Sequence, residues 1–159
     1  IEGKGTKQFA VAKKLLFQAP DVAHALLDQL ATAVGRFLVA QAEAGAQALQ
    51  LFDSWAGALG PHEFRTFALP YLARAAAIAR TAGVPLIVFA PGASWALADI
   101  AQATLADVVG VDWQVEASVA RQRLEHLPVA MQGNLDPTLL YAPPEVIRAR
   151  TEKMLADFG

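Results

Sequence analysis

Two stretches of the chain combine residue types that can do chemistry, Leu49-Gln-Leu-Phe-Asp-Ser-Trp-Ala-Gly57 and Gln132-Gly-Asn-Leu-Asp-Pro137. In each, a short apolar run ends in a burst of small and polar residues just before a helix start. Ser54 offers a hydroxyl that can donate to a carboxylate, or can equally cap a turn or helix. No histidine lies within a few positions of Ser54, and the sequence pairs Asp53 with no base, so a serine-nucleophile triad has no support. Asp112, in Val109-Gly-Val-Asp-Trp113, is either a general base or a buried carboxylate holding loop amides. Asp136 before Pro137 reads as an N-cap. Phe52, Phe67 and Phe89 read as core residues, and Gln132 and Asn134 as strand-end polar groups. His24, His62 and His126 are scattered without metal-ligand spacing and read as surface or capping residues. Arg74, Arg80, Arg121, Arg123, Arg148 and Arg150 fall on predicted helices as solvated faces.

The elements that must position these groups follow from periodicity. After a loop with Gly3 and Gly5, Lys7 to Phe17 reads as a short helix. Ala19-Pro20-Asp21 then opens a long helix whose apolar residues Ala23, Leu26, Leu27, Leu30, Val34, Phe37 and Leu38 recur every three to four positions, with Gly45 as its stop. Strands are predicted at about 46–52, 85–90, 107–111 and 128–132, adjacent in that order. Between and after them come helices over Glu63–Ala82, Ala96–Ala103 and Val115–Leu124, a helical turn at Asp136-Pro137, and a last helix from Pro143 to about Asp157. Four βα units follow two leading helices. Ser54, Phe89, Asp112 and Asn134 should then share one end of a parallel sheet. Pattern alone fits an open doubly wound sheet and part of a (β/α)8 barrel equally well, although no Gly-x-Gly-x-x-Gly follows a strand.

Composition bounds the function classes. The chain has 159 residues, 55% hydrophobic and 18% charged, with net charge −2 and no cysteine. That is a globular domain with a substantial core, without the charge footprint of a nucleic-acid or membrane-surface binder, and without disulfides or thiolate metal ligands. Apolar runs reach only about 5–7 residues, against the roughly 20 of a membrane span. The opening Ile-Glu-Gly-Lys-Gly is unlike a natural start and by itself reads as an expression scar or a processed terminus.

Four motifs carry a family resemblance. Phe52-Asp-Ser-Trp-Ala-Gly57, Ala68-Leu-Pro-Tyr71, Val109-Gly-Val-Asp-Trp113 and Gln132-Gly-Asn-Leu-Asp-Pro-Thr138 resemble, in wording, order and spacing, the uroporphyrinogen decarboxylases, and the likeness runs from Ile1 to Gly159. The resemblance implies a parallel (β/α)8 TIM-barrel type α/β fold. Here it would be one partial barrel domain over 1–159, about half a barrel comprising strands 4–7, since a whole barrel needs about 250 residues.

It also implies a cytoplasmic, homodimeric carboxy-lyase that removes four acetate carboxyls from the tetrapyrrole uroporphyrinogen III to give coproporphyrinogen III, with no cofactor and no metal. In that family the residue matching Ser54 hydrogen-bonds a substrate side chain, and those matching Phe52, Phe89 and Phe67 form the apolar wall for the macrocycle. A charge-stabilising aspartate, arginines, a tyrosine and a histidine of the family site lie outside this segment. No residue here is therefore expected to be catalytic, and the chain alone is expected to be inactive. Pro91 stands where many members carry a lysine or arginine. Two alternatives are a non-catalytic half-barrel that associates with itself and a relative of the zinc methyl-cobamide:thiol methyltransferases.

Overall fold

The computed structural model describes residues 8–159. The expected loop at Gly3 and Gly5, and Lys7 at the start of the first expected helix, lie outside them. The chain runs α1 (Ala10–Gln18), α2 (Pro20–Glu43), β1 (Leu49–Phe52), α3 (Pro61–Phe67), α4 (Leu69–Ala79), β2 (Leu86–Phe89), α5 (Leu97–Thr104), β3 (Val108–Gly110), α6 (Ala117–Leu124), β4 (Ala130–Gln132) and α7 (Pro144–Phe158). Short 3-10 turns cover Ala56–Ala58, Arg80–Ala82, Ser94–Ala96 and Pro137–Tyr141. The four strands form one sheet in the order β1-β2-β3-β4, every neighbouring pair parallel. Each strand is shorter than the apolar run that predicts it.

Register explains which side chains become core. Leu51, Val88, Val109 and Met131 are aligned partners across the sheet. The first three are buried and belong to the core cluster with Phe64, Leu72, Ala76, Ile100 and Leu124 from the helices. One residue further along, Phe52, Phe89, Gly110 and Gln132 form the next rung. Alternation along a strand turns that rung to the other face. This inner face is less covered, and Phe52 remains 57% exposed. At the opposite end of the strands Asp107 ties the sheet together: its carboxylate accepts from Leu86 N–H at 2.8 Å and its carbonyl from Ala130 N–H at 2.9 Å.

One expected helix is two. The run Glu63–Ala82 breaks between Phe67 and Leu69. Pro70 has no N–H to donate to the carbonyl four residues back, and its ring clashes there, so it sits in the first turn of a new helix. Arg80–Ala82 tightens into a 3-10 turn before Gly83, whose φ is +70°. Helix α6 likewise starts at Ala117 rather than Val115. Helix α2, at 24 residues, is long and apolar enough by length and composition to cross a bilayer. In the fold it lies along α4 and β1, burying Ala23, Ala31, Gly35 and Leu38.

Candidate functional site

The four strands deliver their C-terminal ends to one rim, and each expected residue there can be located. Phe52 and Phe89 are register partners on the inner face, with ring centroids 6.2 Å apart at 71°. Gly110 is the next residue on that rung, and a Cβ there would collide with the Phe89 side chain. The missing side chain is what leaves the Phe89 ring its place. Sequence reading overlooked Gly110, although a glycine inside a strand is itself a signal of close approach. A cavity of about 290 Å³ opens over this rung, lined by Phe52, Phe89, Gly110, Gln132 and the loop residues Asp112, Trp113 and Asn134.

Ser54 lies two residues past β1 and is exposed. Its backbone is fixed on both sides. Asp53 N–H donates to the Phe89 carbonyl at 2.9 Å, and the Asp53 carbonyl accepts from Ala56 N–H at 3.2 Å, closing a turn with Ser54 and Trp55 at its centre. Gly57 N–H then donates to the Pro91 carbonyl at 3.2 Å. Gly57 and Gly92 touch backbone to backbone, since a Cβ on Gly57 would stand 2.8 Å from Gly92 Cα. The loops after β1 and β2 are thereby held together. Burial pushes the Asp53 carboxyl above the usual carboxylate range, partly opposed by the Trp55 N–H facing it.

Asp112 is 3% exposed. Its carboxylate accepts from Gly92 N–H at 2.7 Å and from Gln114 N–H at 2.9 Å. Of the two roles open from the sequence, the structure shows the loop-holding one. Asn134 completes the tie: its amide donates to the Asp112 carbonyl at 3.1 Å and to the Val115 carbonyl at 2.6 Å. Asp136 caps the following turn as expected, accepting from Thr138 N–H at 2.8 Å, and the Thr138 hydrogen bonds hold its carboxyl below the usual range.

Phe67 is set apart from this cavity. It is buried at the end of α3 and stacked on His24, with ring centroids 4.8 Å apart at 21°. Together with Phe52, Asp53 and Trp55 it lines a second, apolar cavity of about 410 Å³ between α1, α2, β1 and α4. His24 is half-buried, with Nδ1 2.7 Å from Tyr71 Oη. The expectation of a surface or capping histidine fails there because α2 packs on α4, and the paired Tyr71 hydroxyl makes a half-buried imidazole tolerable. His62 and His126 are exposed, and so are the six helical arginines. Among the described residues no three His, Cys, Asp or Glu side chains gather as metal ligands would.

Comparison with known proteins accords with this geometry. The family model for uroporphyrinogen decarboxylase (URO-D) matches residues 1–159. The chain is 44% identical over 161 residues to the uroporphyrinogen decarboxylase of Chlorobaculum parvum, covering all of this chain and 45% of that protein. It is 43% identical over 166 residues to that of Schizosaccharomyces pombe, covering all of this chain and 46% of that protein. A methyltransferase from Methanosarcina mazei superposes with a TM-score of 0.82 at 22% identity, over 92% of this chain and 44% of that one, which shows a shared fold. The four parallel βα units are thus about half of a TIM-type barrel, and the chain spans under half the length of the curated relatives it matches. With the family model matched from end to end, this chain belongs to the uroporphyrinogen decarboxylase family.

Proposed function

We propose that these residues form one wall of the substrate cleft of a cytoplasmic uroporphyrinogen decarboxylase, which converts uroporphyrinogen III to coproporphyrinogen III with loss of four carboxyls. The observation that carries this reading is the Phe52–Phe89 pair on the inner face, beside an exposed Ser54 at the same strand ends. Two rings at 71° give an apolar surface for a broad, flat macrocycle. Ser54 Oγ donates a hydrogen bond to a substrate carboxylate. Phe67 enters less directly, since it lines the helix-side cavity behind Phe52 and is stacked on His24.

The same face supports a division of labour. Among the described residues lining the 290 Å³ cavity, Asp112 is the only charged side chain, and its carboxylate is already committed to Gly92 and Gln114. Decarboxylation at a pyrrole needs a proton delivered to the ring and a charged group to stabilise the cation that develops. Those groups come from outside these residues, so a polypeptide of the 159 residues alone binds or assembles without turning over. Among the described residues β1 and β4 each pair on one side only, which favours association with a second copy or with the rest of a barrel.

The test supplies uroporphyrinogen under reducing conditions to the full-length gene product and to its Ser54→Ala variant, and follows coproporphyrinogen. Ser54→Ala should raise KM by the worth of a hydrogen bond to a charged group, about 1.5–3 kcal/mol, with kcat little changed. Loss of kcat in a folded variant would give Ser54 a part in the chemical step, and unchanged kinetics would remove it from the site. Turnover by a verified 159-residue monomer would overturn the division of labour.

A further inference from the structure

We propose that Asp112 is a positioning residue for Ser54, acting across three loops and without touching substrate. This rests on the reading of Ser54 as a substrate binder and extends it to a residue on another strand.

The connection is continuous. The Asp112 carboxylate is buried and takes its shortest hydrogen bond, 2.7 Å, from Gly92 N–H in the loop after β2. Gly92 lies against Gly57 with no side chain between them. Gly57 N–H reaches back to the Pro91 carbonyl, next to Gly92. Gly57 closes the stretch that begins with the Asp53–Ala56 turn, and Ser54 is a central residue of that turn. A buried carboxylate with two amide donors has one low-energy position, so Gly92 is fixed. A glycine–glycine contact has no side chain to absorb movement, so a shift of Gly92 passes directly to Gly57. From the other side Asn134 holds the Asp112 carbonyl. An error of about 1 Å in a hydrogen-bonding group is enough to lose much of its contribution.

Asparagine at 112 keeps one acceptor but sets an NH2 against the second amide. Ser54→Ala, Asp112→Asn, Gly57→Ala and the Ser54→Ala/Asp112→Asn double variant are compared in the full-length gene product, with uroporphyrinogen as substrate and thermal melts alongside. Asp112→Asn and Gly57→Ala should each raise KM about tenfold with kcat nearly unchanged, and Asp112→Asn should add little once Ser54 is alanine. Gly57→Ala leaves the carboxylate untouched, so it tests the same path if Asp112→Asn folds poorly.

A collapse of kcat in Asp112→Asn, on the order of a hundredfold with KM retained, would make Asp112 a proton-transfer group and overturn the proposal. Lower melting temperatures with unaltered KM in both variants, or full additivity with Ser54→Ala, would also overturn it. If Ser54→Ala itself leaves KM unchanged, the functional reading of Ser54 falls first. If Ser54→Ala raises KM while Asp112→Asn and Gly57→Ala do not, the positioning role alone is refuted.

Discussion

The rim has two halves that look alike in sequence and differ in what their side chains are free to do. On the β3–β4 half, Asp112 and Asn134 spend their polar atoms on Gly92, Gln114, Val115 and the Asp112 carbonyl. On the β1–β2 half, Ser54 is exposed, and Phe52 and Phe89 lie beside it with Phe52 open to solvent. Both halves present polar residues just beyond a parallel strand, where barrel enzymes build their sites. Position therefore marks the rim, and hydrogen-bond satisfaction separates the half that holds loops from the half that can meet a ligand.

That contrast breaks first at Asp112. Asp112→Ala removes, at a position that is 3% exposed, the acceptor of two backbone amides. Stability of the full-length gene product should fall by about 3 kcal/mol, read from chemical denaturation. Asn134→Ala should follow with a loss of about 2 kcal/mol, since two carbonyls lose one shared donor group. If either variant melts like the parent, the β3–β4 half is not the structural half. Gly110→Ala tests the border between the halves. Its Cβ would meet the Phe89 side chain, so a loss of about 1–3 kcal/mol should accompany a shifted ring, visible in near-ultraviolet circular dichroism. Ser54→Ala should stay within about 0.5 kcal/mol of the parent in the same assay, because its side chain is exposed.

Much of this architecture could be read from periodicity, because short continuous apolar runs such as Pro85–Ala90, alternating with helical patterns, fit strands of a parallel sheet buried on both faces. Family motifs then separated barrel from open sheet, which local pattern could not do: both arrangements put identical faces on a strand. What escaped reading were effects that depend on a neighbour distant in sequence. Pro70 sits inside the apolar stretch 63–82, and its ring splits that stretch into two helices. His24 meets Tyr71 and Phe67 more than forty residues away, and no local signal marks that contact. Gly110 matters only because Phe89 stands on the adjacent strand. Asp112 was readable as a carboxylate at a strand end, but its partner Gly92 belongs to a different loop.

The smallest expected effect concerns Asp53, which lines the helix-side cavity next to Phe52, a residue of both cavities, and sharpens the comparison on the β1–β2 half. Its carboxyl is partly withdrawn from water among Phe52, Trp55 and Phe67, and that burial raises its pKa against the weaker pull of Trp55 N–H. A carboxyl whose folded pKa lies above its unfolded one binds its proton more tightly in the folded state. The charged form is therefore a liability, absent below the unfolded pKa and fully present above the folded one. Asp53→Asn keeps an oxygen facing Trp55 N–H and removes the charge. At neutral pH the variant should be slightly more stable than the parent, by less than any of the losses above. The advantage should shrink as pH falls through the raised pKa, where the parent carboxyl becomes protonated. Denaturation of both proteins at neutral and mildly acidic pH measures this. A variant that is less stable at neutral pH would mean that the charge is compensated by a partner in the folded protein, and that this half of the rim also uses its polar atoms to hold structure.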